Sequence, residues 1–560
     1  MSTDALRARI LPLVELLYPG RGEEVADAVL AVARHRRGPG RARLDQSTAY
    51  VITYGDAIRR PGEAPLHTLA QILRDHVDGV VSDVHLLPMF PWTSDDGFAV
   101  VDYRQVNPAL GTWDDIAELE KHHRLMFDFV ANHVSSSSPW FRGWLAGDPA
   151  YDGFFHVRDP AFDTSRVVRP RVSPLFHAFA RPDGEAVEAW TTFSADQVDV
   201  NVGTVATLLE LTDVLLEYLE RGASTVRLDA IGFLWKESGT TCLHLPQTHA
   251  VDKLWRALVD HVAPGTQLIT ETNVPHAENI SYFGDGTDEA HLVYQFALPP
   301  LVLHSFVSGS TEKLTAWAGE ITGPASTTAT WFNFLASHDG IGLRPVEGIL
   351  DAAEHQALVE RALGHGGTVS MAAIDGRERV YELNVNYLDA LVAPGRAGDP
   401  ELVAATALAA HSILLSLVGV PAIYYHSLFG SGSDREGMRS SGINRRINRA
   451  VLDADTLERE LREDPRRAAV FAGISRLLDA RKHEPSLSPY GAQQVEDHGP
   501  GVLVVRRGAG TEDELVCVTS VRAEPVVLPH VSGTDVLSGT RHDPLSLPAY
   551  GYAWIRPDRS

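Results

Sequence analysis

The chain runs to 560 residues and carries a formal net charge of −24. So negative a surface repels a phosphate backbone and argues against a nucleic-acid partner, although a few arginines in a pocket can still hold a small anion. Two cysteines, Cys242 and Cys517, are too few for a disulfide framework or a zinc site and fit a reducing cytoplasm.

The opening residues, "MSTDALRARILPLVELLYPG", have amphipathic helical spacing rather than the unbroken apolar stretch of a secretion signal. No run of about 18 apolar residues is present to span a membrane. Residues 1–45 therefore form a helical extension, ending in the basic, Gly/Pro-punctuated "RHRRGPGRARLD", which is expected to be a solvated linker.

From residue 46 to residue 487, short apolar runs alternate with helical patterns. The runs include "VVSDVHLLPMF", "LMFDFVANHV", "TVRLDAIGF", "QLITETNV" and "FNFLASHDG", and "VDKLWRALVDHV" is a representative helix. Such alternation means βαβ units and a parallel sheet. Strands that end in acids, amides and histidines favour an α/β fold of the (β/α)8 TIM-barrel type, whose active site gathers at the C-terminal strand ends. Two irregular stretches, at about 135–200 and 340–395, are expected to be inserted loop domains that act as lids or specificity loops. From 488 to 560 the texture changes to alternating strands such as "GVLVVRR" and "ELVCVTS", the pattern of a small C-terminal antiparallel β domain.

Three acids close three of the strand-like runs: Asp229 in "VRLDA", Glu271 in "LITETN" and Asp339 in "LASHDG". Arg227 and His338 stand beside two of them, and Asp128, Asn132 and His133 close another strand-like run, "LMFDFVANHV". This grouping suits a glycosidase-type reaction with retention, which uses one carboxylate as nucleophile and one carboxylic acid to protonate the leaving oxygen. An arginine beside the nucleophile keeps it ionised, burial keeps the acid protonated, and a third carboxylate favours the cationic transition state.

"VRLDA", "TETN", "SHDG" and "DFVANH" resemble, in order and spacing, the sequence regions of the α-amylase superfamily. "RLDAIGFLWKESGTTCLHLPQTH", "FALPPLVLH", "SHDGIGLRP" and "GVPAIYYHSLFGS" look like the sucrose phosphorylase group within it, over roughly residues 47–485. The resemblance implies Asp229 as nucleophile, Glu271 as acid/base and Asp339 as transition-state stabiliser. It also implies a glucose site built from Asp95, Phe98, His133, Gln197, Arg227, His338 and Arg445.

Phe233 and Asn273 depart from the "VGY" and "EVHS" usual in plain sucrose phosphorylases. Together with the N-terminal extension they look more like the branch holding the glucosylglycerate and sucrose 6'-phosphate phosphorylases. Arg169 and Arg171 in the first insertion, and His365, Arg377 and Arg379 in the second, are the candidates for holding phosphate or an anionic leaving group. The expected reaction moves a glucosyl group from sucrose 6'-phosphate, or sucrose, to inorganic phosphate through a covalent glucosyl-enzyme intermediate, with glucosylglycerate as the alternative donor. A glucosidase or transglucosidase of the same superfamily is a further, less favoured alternative. No cofactor or metal is required by this route, although Asn132 and Asp128 resemble calcium positions of some amylases. A monomer or homodimer in the cytoplasm completes the expectation.

Overall fold

The computed structural model describes residues 1–374 and 377–558; the side chains of residues 373, 374 and 377 lie outside that description. Eight parallel strands close into a barrel: β1 (Tyr50–Thr53), β2 (Asp83–Leu86), β3 (Arg124–Val130), β4 (Ala223–Asp229), β5 (Gln267–Thr270), β6 (Leu292–Tyr294), β7 (Thr330–Phe334) and β8 (Val420–Tyr424). Closure is made by β1, which pairs with β2 on one side and β8 on the other. Every residue of β4 is buried, as expected for a strand covered by side chains inside the barrel and helices outside it. The alternation of strands and helices thus builds the expected fold. β6, only three residues long, is too short to show a pattern of its own.

Pairing register decides which side chains meet. β3 and β4 set Asp128 opposite Arg227 and Val130 opposite Asp229. β4 and β5 set Leu228 opposite Thr270, and the amide of Glu271 continues the ladder to the Leu228 carbonyl at 3.1 Å. Glu271 therefore emerges level with Asp229 on the adjacent strand.

Helices α1 (Thr3–Leu17) and α2 (Gly22–Ala33) form the N-terminal extension, and they pack on two barrel helices, α3 (Val205–Glu220) and α4 (Pro246–Val262). The basic stretch that follows α2 departs from expectation, because it is tied down rather than solvated. Arg36 pairs with Asp213 and Glu220. Arg41 enters the base of the barrel, where Nη1 donates to Asp83 (2.9 Å), Tyr50 Oη (2.8 Å) and Thr225 Oγ1 (3.1 Å). The reason is Asp83, a fully buried carboxylate at the start of β2 that needs a cation beside it.

Both insertions carry structure of their own. The first is closed at its neck by an antiparallel pair, His133–Ser135 with Gln197–Asp199, which sets Gln197 opposite Ser135 and His133 opposite Asp199. The second reads as irregular in sequence. It holds a 13-residue helix, Ala352–Gly364, and a three-stranded sheet of Ile341–Gly342, Thr368–Ile374 and Arg377–Asn384. The helix start is announced by a capping box, with Asp351 receiving the amide of Glu354 and Glu354 receiving that of Asp351. The last six-stranded sheet, from Gln493–Asp497 to Tyr552–Pro557, packs one face on the barrel helix Pro400–Ser416. There Trp554 Nε1 donates to Ser412 Oγ at 3.1 Å, and Leu503, Val505, Cys517 and Trp554 join the main core. The alternate residues Val502, Val504, Val516 and Val518 form a second core on the other face. Both cysteines are buried free thiols, and among the described residues no helix is long and apolar enough to cross a membrane.

Candidate active site

A cavity of about 680 Å³ opens at the C-terminal ends of the strands. Asp229, Glu271 and Asp339 all line it, as do Asp95, Phe98, His133, Gln197, Arg227, Phe233, Asn273, His338 and Arg445. Asp229 ends β4, Glu271 follows β5 directly, and Asp339 lies five residues beyond β7.

Arg227 organises the first two acids. Its Nη1 donates to Asp229 Oδ1 at 2.8 Å and to Asp128, which also accepts from His85 Nε2 at 2.7 Å. Nη2 lies 4.0 Å from Glu271 Oε2. The guanidinium is buried, with the Phe98 and Tyr294 rings at 5.6 and 5.8 Å. Ala230 adopts φ 51°, a left-handed conformation costly for a residue with a Cβ, and its amide donates to Glu271 Oε2 at 3.1 Å. The turn after one acid thus holds the other acid against it.

Burial raises the pKa of both carboxyls, and the negative charges around them push the same way. The pair therefore holds on to one proton more readily than two separate acids would. Arg227 is nearer to Asp229 than to Glu271, so the charge is best placed on Asp229 and the proton on Glu271. Asp339 behaves in the opposite sense. Burial acts to raise it, but Arg445 Nη1 at 2.6 Å, His338 at 3.5 Å and Arg449 at 3.8 Å hold it well below the usual carboxylate range. Arg445 also forks onto buried Glu382, with contacts of 3.1 and 2.7 Å. Nothing in the residues around Glu382 marks it as a site residue.

Beside the Asp95 carboxylate, which Gln197 Nε2 approaches at 3.5 Å, the rest of this half of the cavity is lined by aromatic rings and neutral imidazoles. His338 stacks on Phe98 (4.8 Å between centroids, 6° between planes) and meets the Tyr54 ring edge-on at 6.0 Å. His133 Nε2 donates to the Phe98 carbonyl at 2.9 Å, and the Gln197 amide reaches the same oxygen at 3.3 Å. Burial lowers the pKa of both imidazoles, so each presents a neutral ring at pH 7. Behind this wall the Lys236 ammonium contacts Asn132 Oδ1 (3.0 Å), Asp199 Oδ2 (2.8 Å) and the Phe233 carbonyl. Asn132 and Asp199 thus share their oxygens with an ammonium, while Asp128 serves Arg227.

The other half of the cavity carries Arg169 and Arg171, joined by two arginines the sequence reading did not single out, Arg166 and Arg344. Among the described residues none of the four has a carboxylate within 4.0 Å. Arg171 lies over the rings of Tyr381 (5.1 Å) and Phe193 (5.7 Å), and Arg169 donates to the Ser173 carbonyl.

Two expected anion-holding residues are elsewhere. His365 is buried below the end of its helix, with Nε2 donating to the Val392 carbonyl at 2.9 Å. Arg379 is exposed and does not line the cavity; the Arg377 side chain lies outside the described residues. The hairpin that carries Arg379 contains a β-bulge. Ser370 pairs with Glu382 but Met371 with Val380, which leaves Tyr381 unpaired. The bulge lets two consecutive residues, Tyr381 and Glu382, both line the cavity, whereas Arg379, opposite Ala372, lies further along the strand and is exposed. Nothing local in "DGRERVYEL" marks that extra residue.

The family model described as "Alpha amylase, catalytic domain" matches residues 79–340. The chain is 46% identical to the glucosylglycerate phosphorylase of Allomeiothermus silvanus over 99% of both chains. It is 45% identical to the glucosylglycerate phosphorylase of Spirochaeta thermophila, covering 92% of this chain and 89% of the other. The crystal structure of sucrose 6F-phosphate phosphorylase from Thermoanaerobacter thermosaccharolyticum superposes with a TM-score of 0.73 at 23% identity, over 85% of this chain and 94% of the other, a likeness of fold. Barrel, strand-end acids and identity along nearly the whole length agree, and the chain belongs to the sucrose phosphorylase group of the α-amylase superfamily.

Proposed function

We propose that this chain is a retaining glucosylglycerate phosphorylase, converting the α-glucoside and inorganic phosphate to α-glucose 1-phosphate and glycerate. The donor order expected from the motifs is thereby reversed, with sucrose 6'-phosphate second. The observation that carries the reading is identity of 46% over 99% of both chains with a glucosylglycerate phosphorylase, against 23% with the solved sucrose 6F-phosphate phosphorylase. The carboxylate-free arginines of the cavity support it, since both phosphate and glycerate are anions that guanidinium forks bind well.

In this reading Asp229 attacks the anomeric carbon while Glu271 gives its proton to the departing glycerate oxygen. The C–O bond to glycerate breaks as the bond to Asp229 forms. A phosphate oxygen then attacks the glucosyl–Asp229 ester from the face that glycerate has left, returns a proton to Glu271 and frees Asp229. Asp339, held ionised by Arg445, stabilises the positive charge that develops on the ring in both steps. The neutral rings of Phe98, His338 and His133 contribute shape and hydrogen bonds without competing charge.

The test is a donor panel with purified enzyme and phosphate: glucosylglycerate, sucrose 6'-phosphate, sucrose and glucosylglycerol. Glucose 1-phosphate formed fastest from glucosylglycerate is the expected result. Preference for sucrose 6'-phosphate would overturn the donor. Free glucose formed at the same rate with and without phosphate would make the chain a glucosidase instead.

A further inference from the structure

The four carboxylate-free arginines stand on two different parts of the chain. Arg166, Arg169 and Arg171 come from the insertion after β3, whereas Arg344 comes from the turn that follows β7. Arg344 keeps different company from the other three. Gly342, two residues before it, packs so tightly on Asn273 that a Cβ there would lie 2.7 Å from Asn273 Oδ1. Asn273 in turn is two residues beyond Glu271. Arg344 Nε and Asn273 Oδ1 are both buried polar atoms with no hydrogen-bond partner among the described residues; Arg169 Nε shares that condition, so it is the neighbouring Asn273 that sets Arg344 apart. Leaving a guanidinium N–H in that condition is costly unless a ligand supplies the acceptor.

The direction of the chemistry distinguishes this wall from the other. Glu271 protonates the bridging oxygen, so the body of the leaving group extends on the Glu271 side, towards Asn273 and Arg344. In glucosylglycerate the carboxylate is attached to the carbon that bears the bridging oxygen. It is a planar anion whose carbon is two bonds from the bridging oxygen, and it matches the fork of an arginine rather than the point charge of a lysine. His244 also lines the cavity. Burial, with the charges of His249 and Arg344, lowers its pKa to about 4, so it adds no rival cation.

We propose that Arg344 is the donor-specificity residue: it pairs with the glycerate carboxylate, while the arginines of the insertion serve phosphate. This rests on the donor assignment made above. It accounts for two arginine-bearing walls in one cavity and gives each anion of the reaction its own contact.

The test uses the full-length enzyme and its Arg344→Gln and Arg344→Lys variants. Three quantities are measured: kcat/KM for glucosylglycerate, kcat/KM for the uncharged glucosylglycerol, and KM for phosphate. In Arg344→Gln the ratio of the first to the second falls about 10- to 100-fold, the range for losing hydrogen bonds to a charged partner. KM for phosphate stays within about threefold. Arg344→Lys recovers part of the ratio, because it restores charge without the fork. Inhibition by free glycerate weakens in parallel. An unchanged ratio, equal loss on both donors in both variants, or a rise confined to the phosphate KM overturns the assignment. Wild-type enzyme that forms no glucose 1-phosphate from glucosylglycerate would instead defeat the donor assignment itself, and this inference with it.

Discussion

Replacing Glu271 by Gln separates proton transfer from positioning. The amide oxygen of Gln can still accept from the Ala230 amide, which now reaches Glu271 Oε2 at 3.1 Å, so the side chain keeps its place beside Asp229. Arg227 stays on Asp229 at 2.8 Å, and its 4.0 Å contact with Glu271 is too long to be the main restraint on that side chain. What the variant lacks is a proton to give. General acid–base catalysis supplies about 10²- to 10⁴-fold, or ~3–5 kcal/mol of barrier, and that is the expected fall in kcat/KM with glucosylglycerate. Fluoride leaves without protonation, so α-glucosyl fluoride with phosphate should lose less than about tenfold. Burial raises the pKa of Glu271, so the alkaline limb of the wild-type kcat/KM profile lies above the ordinary carboxylate range, and the variant lacks that limb. Equal loss on the fluoride and the natural donor would refute the assignment of Glu271 as acid and leave it a positioning group.

Three further outcomes are expected. Arg171→Ala should raise KM for phosphate about tenfold or more while leaving kcat/KM for hydrolysis of α-glucosyl fluoride within about threefold; unchanged phosphate dependence would move that role to Arg169 or Arg166. Arg41→Met leaves buried Asp83 with only the half-exposed Arg124 as cation, at 2.8 Å, and should cost about 3 kcal/mol by urea unfolding. A loss below about 1 kcal/mol would mean that Arg124 alone neutralises Asp83. His411, buried in the helix Pro400–Ser416, has its pKa pushed by burial from 6.5 down to about 4. A base whose folded pKa is depressed keeps its full contribution above pH 6.5 and loses stability as pH falls towards 4, because the unfolded chain takes the proton first. That linkage amounts to about 3 kcal/mol, and His411→Gln should flatten the fall in urea midpoint between pH 7 and pH 5. A slope identical in the variant would place the acid sensitivity elsewhere.

The chemistry of the donor-glucose half is written locally. An acid at the end of an apolar run must sit at a strand end, and in a parallel barrel strand ends converge, so Asp229, Glu271 and Asp339 could be grouped from their spacing alone. The C-terminal alternation likewise shows in the two cores it produces on opposite faces of one sheet. The helix Ala352–Gly364 goes unread inside a stretch that scans as irregular, although its capping box, Asp351 with Glu354, is a local signal that could have marked it.

Only the folded chain decided the other half of the cavity. His365, Arg379, Arg344 and Glu382 look alike in sequence, as polar residues in a long insertion. A single unpaired residue, Tyr381, brought both itself and Glu382 to the cavity, and that bulge depends on the strand across the sheet rather than on neighbours in the chain. The basic stretch after α2 shows the same limit, because its Arg41 is drawn inward by Asp83, 42 residues away in sequence. Periodicity and motif spacing specify what a segment can become. Which charge finds a partner, and which is left free for a substrate, is fixed by contacts between segments that no local pattern encodes.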